Sequence, residues 1–332
     1  MSAVAATRAT PAAPAGERVR ALIVRFAPQL LLILLLIGVA LINPVTISPN
    51  NLVNIALNAV PIAVLGLGAM WILIAGGLDL SAGFGVAMCA LVLGGGIQQG
   101  QPLVVTLLMC IAAGLALGLI NGLLVSVLAM PPFIATLATM AAVQGIVLLL
   151  GKQGTVIIND PVLSGLGSVR PLGIPLLVIV AALIAVAVAA LARWSRFGLY
   201  TYGLGSNKHA MAARGAPVLS QTLLVYLFGG LMVALTAILL VAKVQIVDTN
   251  IANTNLLLDA FAATIIGGTS LFGGKGSVIG TITGAVIISL ISTSLVVLGV
   301  SAESVNFFKG VTIVGAVMID AAIRFLDKRE SA

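Results

Sequence analysis

Charge is scarce in this sequence. Only 8 % of the 332 residues are Asp, Glu, Lys or Arg, against about 25 % in an ordinary soluble domain. The chain also has one histidine, two cysteines and 5 % aromatic residues. Catalytic sites need clusters of titratable side chains, so this composition disfavours an enzyme. Cys89 and Cys110 stand alone within apolar runs, where a thiol is a packing residue far more often than part of a disulfide.

Apolar residues, by contrast, make up 61 % of the chain. A helix rises about 1.5 Å per residue, so about 20 apolar residues cross a hydrocarbon layer of about 30 Å. Many such runs follow one another here. We therefore predict an all-α, polytopic membrane protein with about ten transmembrane helices, at about residues 26–43, 52–75, 80–97, 103–129, 131–151, 174–193, 218–242, 258–274, 277–298 and 306–325.

The positive residues predict how the chain is oriented. In a soluble protein the net charge of +7 would suggest a nucleic-acid partner. Here the Lys and Arg residues are distributed as expected for a membrane protein, so no nucleic-acid partner is expected. With the N-terminus inside, twelve of the sixteen Lys and Arg residues fall on the cytoplasmic side, which is the positive-inside pattern. Both termini are thus expected in the cytoplasm. The expected parts are a disordered tail over 1–25, a transmembrane domain over 26–325 with a cytoplasmic loop at 194–217, and a C-terminal tail over 326–332.

Two segments share the pattern G-G-x-x-L-x-x-G-x-G, and each separates two apolar runs. Transporter halves carry such paired glycine-rich breaks where helices are interrupted or pack closely. The pattern therefore predicts a transport subunit. In the predicted topology both segments face the same side. Their structural glycines are Gly76, Gly77, Gly83 and Gly85 in the first and Gly267, Gly268, Gly274 and Gly276 in the second.

Several chemical signatures do not hold. Residues 268–277 resemble a phosphate-binding loop, but Thr269 and Gly276 occupy the places of its required glycine and Ser or Thr. His209 is the only histidine and has no Cys, Asp or Glu at ligand spacing, so no metal site is expected. We expect no cofactor in this chain. Tyr202, like Tyr200 and Trp194, is interpreted as an interfacial anchor at a membrane edge.

Acids within membrane segments are costly and usually persist for a reason. Asp259, at the start of the eighth span, complements a helix N-terminus. Asp79 lies just ahead of the third span and allows two interpretations. Asp79 or Ser81 caps that helix while the glycines allow close packing, or Asp79 contacts the transported solute directly.

Three motifs resemble those of bacterial sugar-type ABC importer permeases, the membrane subunits of ribose, arabinose, xylose, galactofuranose and autoinducer-2 systems. Residues 76–83 resemble the family's G-G-I-D-L-S-V-G. Residues 130–140 resemble P-P-F-I-A-T-L-G-T-M, with Ala138 in place of its glycine. Residues 259–276 are similar to D-A-I-A-A-V-V-I-G-G-T-S-L-x-G-G-x-G. The resemblance extends from about residue 50 to 325.

The resemblance implies a permease subunit of an ATP-driven importer in the bacterial inner membrane. The implied partners are an ABC ATPase subunit that holds ATP and Mg, a second permease subunit, identical or paralogous, and a periplasmic binding protein that delivers a monosaccharide or similar small polar solute. The loop at 194–217 resembles the family's cytoplasmic loop and is expected to hold a short coupling helix that ends at a glycine. Its implied contact residues are Asn207, Ala210, Arg214 and Gly215.

Sugar transport needs hydrogen-bond donors and acceptors and aromatic faces along the pathway. Polar side chains within spans can instead bond one helix to another, and that alternative stays open for each candidate. An ion-coupled secondary transporter and an ABC permease for a nucleoside or an amino acid are the alternative functions. The candidate pathway residues are Asn54, Asn58, Asp79, Ser81, Phe133, Thr136, Thr264 and Ser270.

Overall fold

The computed structural model describes residues 15–251, 254–301, 304–311, 314, 315 and 318. Twelve α-helices and one two-stranded ribbon organise this part of the chain, and residues 304–311 are also helical. The helices are α1 (Ala15–Ile42), α2 (Pro49–Ile74), α3 (Ala82–Gln98), α4 (Leu103–Ser126), α5 (Pro132–Leu150), α6 (Pro161–Ser168), α7 (Leu176–Trp194), α8 (Arg196–Ser206), α9 (Lys208–Ala213), α10 (Val218–Val244), α11 (Thr254–Ile266) and α12 (Val278–Val297). The strands are β1 (Val156–Ile157) and β2 (Ile246–Val247), and short 3₁₀ turns lie at Pro44–Ile47, Gly151–Gln153 and Pro171–Gly173.

The long helices confirm an all-α membrane protein. Six helices of the described chain, α2, α4, α5, α7, α10 and α12, are long and apolar enough to cross a membrane. The apolar part of α1, together with α3 and α11, forms shorter apolar helices. These positions follow the first nine expected spans, and the tenth is described only in part. The count of ten and the cytoplasmic position of both termini stay predictions.

The first helix starts earlier than expected. It begins at Ala15, so α1 includes residues 15–25 of the segment that the sequence predicts to be a tail. The apolar run that begins near residue 26 continues a helix that has already started. Residues 1–14 of that expected tail, and the C-terminal tail over 326–332, lie outside the described residues.

The eighth expected span ends early, so the interpretation of 258–274 as one continuous span is wrong. Helix α11 stops at Ile266, and its 13 residues cover about 20 Å at the usual helical rise. Gly268 adopts φ +84°, and the amides of Gly268 and Thr269 donate to the carbonyls of Ile265 and Thr264, both at 2.9 Å. This is a Schellman ending, which needs a glycine in the left-handed region.

Helices α2 and α10 form the centre of the bundle. Helix α10 packs against α2, α3 and α4, and α2 also packs against α12 and α11. The apolar window of α2 is 89 % buried, whereas that of α7 is 17 % buried. Helices α4, α5 and α7 therefore present most of their apolar surface outward, as a bilayer requires.

Small residues allow α4 and α10 to approach closely. Gly114, Gly118 and Gly122 recur every four residues on α4, and a methyl group at Gly118 would overlap the carbonyl oxygen of Tyr226 on α10. Backbones in contact at small residues are the usual way in which membrane helices pack tightly. This contact fixes α4 against the central helix.

The two ends of the bundle have different constructions. At one end, β1 pairs antiparallel with β2, with Val156 opposite Val247 and Ile157 opposite Ile246. At the other end, α8 and α9 precede the start of α10. The two glycine segments meet there, because Gly274 donates its amide to the carbonyl of Ile74 at 2.9 Å and Gly205 of α8 packs against both residues. We call these the ribbon end and the α8 end.

Candidate functional site

The first glycine segment, residues 75–81, joins α2 to α3 and contains a buried carboxylate. Helix α2 ends at Ile74, and Gly76 just beyond it adopts φ +78°. The Oδ1 atom of Asp79 accepts hydrogen bonds from the Ser81 amide at 2.8 Å and the Ser81 hydroxyl at 2.6 Å. Burial raises the pKa of the Asp79 carboxyl, and hydrogen bonds from Ser81 and Asn121 partly oppose that rise. The carboxylate thus bonds the amide of Ser81, the residue just before α3, and the Ser81 side chain itself does not cap that helix.

Asp79 belongs to a network that reaches two further helices. Asn121 on α4 donates to Ser81 Oγ at 2.8 Å and to Asp79 Oδ1 at 3.3 Å. The hydroxyl of Thr139 on α5 donates to Asn121 Oδ1 at 2.7 Å. Sequence analysis missed Asn121 and Thr139 as site residues, although an isolated amide in an apolar span is itself a signal. The network holds α3, α4 and α5 to the first glycine segment.

The second glycine segment, residues 267–277, joins α11 to α12. Its turn is built by Gly273 and Gly274, with φ +89° and +75°. The amide of Ser270 donates to the Lys275 carbonyl at 2.9 Å, and Ser270 Oγ accepts from the Phe272 amide at 3.1 Å. The segment thus folds back on itself, and its tip lies against α8.

The C-terminal end of α8 packs backbone against backbone. A methyl group at Gly205 would overlap the carbonyl oxygen of Ile74 and lie 2.6 Å from the amide nitrogen of Gly274. A methyl group at Gly273 would lie 2.8 Å from the Gly205 carbonyl oxygen. Three chain segments therefore meet here with no side chain between them.

Tyr202 bonds α8 to the second glycine segment. Its hydroxyl donates to the carbonyl of Gly276 at 3.0 Å. Burial raises the pKa of Tyr202, which keeps this hydroxyl protonated and able to donate. The sequence predicts Tyr202 to be an interfacial anchor, and in the structure its hydroxyl makes this partly buried hydrogen bond to the backbone.

An aromatic cluster fastens α8 to the central helices. Trp71 of α2 is fully buried, and its ring centroid lies 4.9 Å from that of Phe197 on α8 and 5.8 Å from that of Phe228 on α10. The Tyr202 ring is 6.2 Å from Trp71. The buried side-chain amide of Gln221 on α10 also donates hydrogen bonds to the Phe197 carbonyl at 2.9 Å and to Thr201 Oγ1 at 2.7 Å. Aromatic pairs at these separations are favourable beyond their buried area.

Helix α9 projects from this junction. Asn207 begins it, because its side chain accepts from the Ala210 amide at 2.9 Å, and Gly215 follows its end with φ +75°. Met211 is half-buried against α8, since its sulfur would lie 2.7 Å from a methyl group at Gly203. The four sequence-predicted contact residues, Asn207, Ala210, Arg214 and Gly215, are all exposed.

The candidate pathway residues divide into buried and accessible groups. Thr136 and Thr264 are fully buried and donate to carbonyls of their own helices at 2.8 and 2.7 Å. Asp79, Ser81 and Ser270 are buried at the α8 end. The structure therefore does not bring the eight candidates together. Three are more accessible, namely Asn54 and Asn58 on α2 and Phe133 on α5.

Asn58 has partners that sequence analysis did not identify. Its Oδ1 accepts from the Lys243 ammonium at 2.6 Å, and its Nδ2 donates to Thr293 Oγ1 at 3.2 Å. These residues join α2, α10 and α12 towards the ribbon end. On α11, Asp259 forms an ion pair with Lys309 at 2.8 Å.

Two other features offer no chemistry for a solute. A cavity of about 450 Å³ between α2, α7 and α12 is lined by apolar side chains, which cannot bond sugar hydroxyls. Within the part of the chain that the structure describes, no group of three or more His, Cys, Asp or Glu residues could hold a metal ion.

The sequence of this chain is similar to those of known permeases. A family model described as the permease component of branched-chain amino acid transport systems matches residues 51–317. A ribose import permease of Bacillus subtilis (strain 168) is 34 % identical over 298 residues, which cover 89 % of this chain and 92 % of that protein.

Two further relatives carry other sugars in their names. A galactofuranose transporter permease of Escherichia coli (strain K12) is 33 % identical over 279 residues, covering 84 % of this chain and 81 % of its own length. A fructose import permease of Bifidobacterium longum (strain NCC 2705) is 34 % identical over 260 residues, covering 76 % and 73 %. No solved structure matches the chain.

Proposed function

This chain belongs to the family of branched-chain amino acid transport system permease components, and we propose that the solute it carries is a monosaccharide or a similar small polar molecule. The chain is the permease subunit of an ABC importer, a transport component rather than an enzyme. Its relatives carry the names of ribose, galactofuranose and fructose. An amino acid, which the family description names, is the second candidate.

The proposed assembly contains three kinds of subunit. Two permease subunits, identical or paralogous, enclose the pathway in the inner membrane, and a periplasmic binding protein delivers the solute. An ABC ATPase subunit holds ATP and Mg and supplies the energy. In this arrangement the chain has ten spans, with both termini and the α8 end in the cytoplasm and the ribbon end outside. The basic residues Arg196, Lys208 and Arg214 at the α8 end support this orientation, because positive charge is favoured on the cytoplasmic side.

We assign α9 to the contact with the ATPase. The observation that carries this assignment is an exposed, capped helix at the same end of the bundle as both glycine segments. Ala210 offers a small exposed surface that fits a groove, and Arg214 adds charge at the helix end. The resemblance of this loop to the family's cytoplasmic loop points the same way.

We propose Asn54, Asn58 and Phe133 as pathway residues. Their accessibility and chemistry support this role, because amides bond hydroxyl groups and an aromatic ring packs on a sugar face. For Asp79, Ser81, Thr136, Thr264 and Ser270, their burial favours a structural role in the conformation observed.

Replacement of Ala210 by Glu tests the coupling assignment. An unpaired carboxylate placed in a protein interface costs about 1–3 kcal/mol, so solute taken up per ATP hydrolysed should fall about tenfold while the protein still inserts. The measurement uses proteoliposomes with the complete transporter and radiolabelled D-ribose, or D-fructose if the wild type does not take up ribose. Gln101→Glu, on the exposed loop between α3 and α4, is the matched control. Equal coupling in both variants would contradict the assignment.

A further inference from the structure

Helices α8 and α9 form one mechanical unit. Only Asn207 separates them, and the Met211 side chain packs against Gly203 of α8. A partner that displaces α9 therefore displaces α8 with it. This argument rests on the proposed function, in which α9 contacts the ATPase.

The C-terminal end of α8, which is the end next to α9, contacts the second glycine segment backbone against backbone. Gly205 lies against Gly273 and Gly274, and Ser206 also lies against Gly274. Flexible side chains can absorb a displacement by changing rotamer, but backbone packed on backbone cannot. Packed protein interiors therefore transmit strain. The Tyr202–Gly276 hydrogen bond fixes the direction of this contact.

The two glycine segments differ in what else holds them. The first is tied to α3, α4 and α5 through Asp79, Asn121 and Thr139. The second is attached to the end of α2 through the Gly274 amide and to α8 through Tyr202. Its glycines at 273 and 274 have positive φ values, a conformation that other residues resist. The second segment is thus the one whose position depends on α8.

We propose that α8 transmits displacement of α9 to the second glycine segment and so to α11 and α12, with Tyr202 and Gly205 as its positioning residues. Neither residue touches the solute or the ATPase in this scheme. Tyr202 sets where Gly276 lies relative to α8. Because Gly205 has no side chain, the backbone of α8 packs directly against the second glycine segment.

The test uses Tyr202→Phe, which removes the hydroxyl and keeps the ring beside Trp71. Loss of one hydrogen bond should lower solute transported per ATP about two- to tenfold, while the assembled transporter keeps its ATPase rate. Tyr200→Phe is the matched control on the same helix. Gly205→Ala, which introduces the overlap with Ile74, should lower this ratio further. All variants are measured as complete transporters in proteoliposomes, with the radiolabelled sugar probe used for Ala210→Glu.

The outcomes separate this inference from the proposed function. If Ala210→Glu uncouples transport and Tyr202→Phe matches Tyr200→Phe, the inference is wrong and the role of α9 stands. If Ala210→Glu is also without effect, the assignment of α9 fails as well. A Tyr202→Phe variant that loses uptake and ATPase activity in equal proportion would indicate a purely structural role and overturn the inference. Because Tyr202→Phe creates no overlap, it decides the matter even if Gly205→Ala does not fold.

Discussion

The two glycine segments share one sequence pattern and begin in the same way, yet they end differently. Each starts with a Schellman ending, at Gly76 in the first and Gly268 in the second. In each segment a side-chain oxygen then accepts a hydrogen bond from the amide two residues further along the chain. That oxygen belongs to Asp79 in the first segment and to Ser270 in the second. In the aligned pattern these two residues occupy the same position, so the likeness extends to local hydrogen bonds.

The conformations of the two segments diverge three aligned positions further on, where Ala82 is aligned with Gly273. Ala82 begins α3, so Gly83 and Gly85 lie inside a helix. The residue aligned with Ala82 is Gly273, which adopts φ +89°. Alanine favours helix and glycine permits the left-handed region, so the second link continues to Ser277 before α12 begins. One alanine-to-glycine difference thus coincides with a compact link in one half and a protruding turn in the other.

This difference assigns the segments different tasks. The compact first link buries a carboxylate and holds three neighbouring helices. The second link protrudes and contacts α8, which directly precedes the proposed coupling helix α9 in the chain. Three substitutions examine the comparison, from the largest expected effect on stability to the smallest.

The replacement Asp79→Ala should have the largest effect. It removes an acceptor shared by Ser81 and Asn121 and leaves buried donors without it, so we expect a loss of about 3 kcal/mol in the free energy of unfolding. The measurement is unfolding in mixed detergent–SDS micelles, followed by tryptophan fluorescence. Ser270→Ala, at the aligned position of the second segment, is the control and should lose less. Equal losses at the two positions would show that the segments are not held differently.

Substitution of Gly273 by Ala should have an intermediate effect. A Cβ atom at positive φ costs about 1–2 kcal/mol, and this one would also press on the Gly205 carbonyl at 2.8 Å. The same unfolding assay should therefore report a loss of about 2 kcal/mol. Solute transported per ATP should fall as well, because the contact with α8 is disturbed. A variant with unchanged stability and coupling would contradict the description of this turn.

The reciprocal change, Ala82→Gly, should have the smallest effect. Glycine costs about 0.5–1 kcal/mol relative to alanine in a helix, and the loss of one buried methyl group adds about 0.8 kcal/mol, so a loss of about 1.5 kcal/mol is expected in the unfolding assay. Coupling should stay at the wild-type value because α8 does not depend on this position. If Ala82→Gly uncouples transport as strongly as Gly273→Ala, the two segments share a task and the comparison fails.

Sequence periodicity and length were sufficient to predict where most helices lie, because spans of about 20 apolar residues are a direct requirement of the bilayer. Composition could not show that α11 stops at Ile266, since the apolar residues continue past it. The end of α11 depends instead on a glycine that can adopt a positive φ. Two adjacent glycines follow this helix, and the sequence does not show which of them adopts it. The glycine with positive φ that follows α11 is the second of its pair, Gly268, whereas the one that follows α2 is the first of its pair, Gly76.

The site was harder to predict than the fold. Asp79 was recognised, but its partners Asn121 and Thr139 lie on helices whose packing the sequence does not specify. Tyr202 resembles any aromatic residue near a membrane edge. Its role comes from the close approach of Gly205 to Ile74, which brings its hydroxyl to the Gly276 carbonyl. Contacts between segments distant in sequence decide such roles.

The most direct test of this account is hydrogen–deuterium exchange on the complete transporter in lipid nanodiscs, with and without a non-hydrolysable ATP analogue. The account predicts that nucleotide changes the exchange of residues 207–215 and 267–277 together, and that residues 75–81 change less because the Asp79 network holds them. A change at 207–215 with no change at 267–277 would contradict transmission through α8.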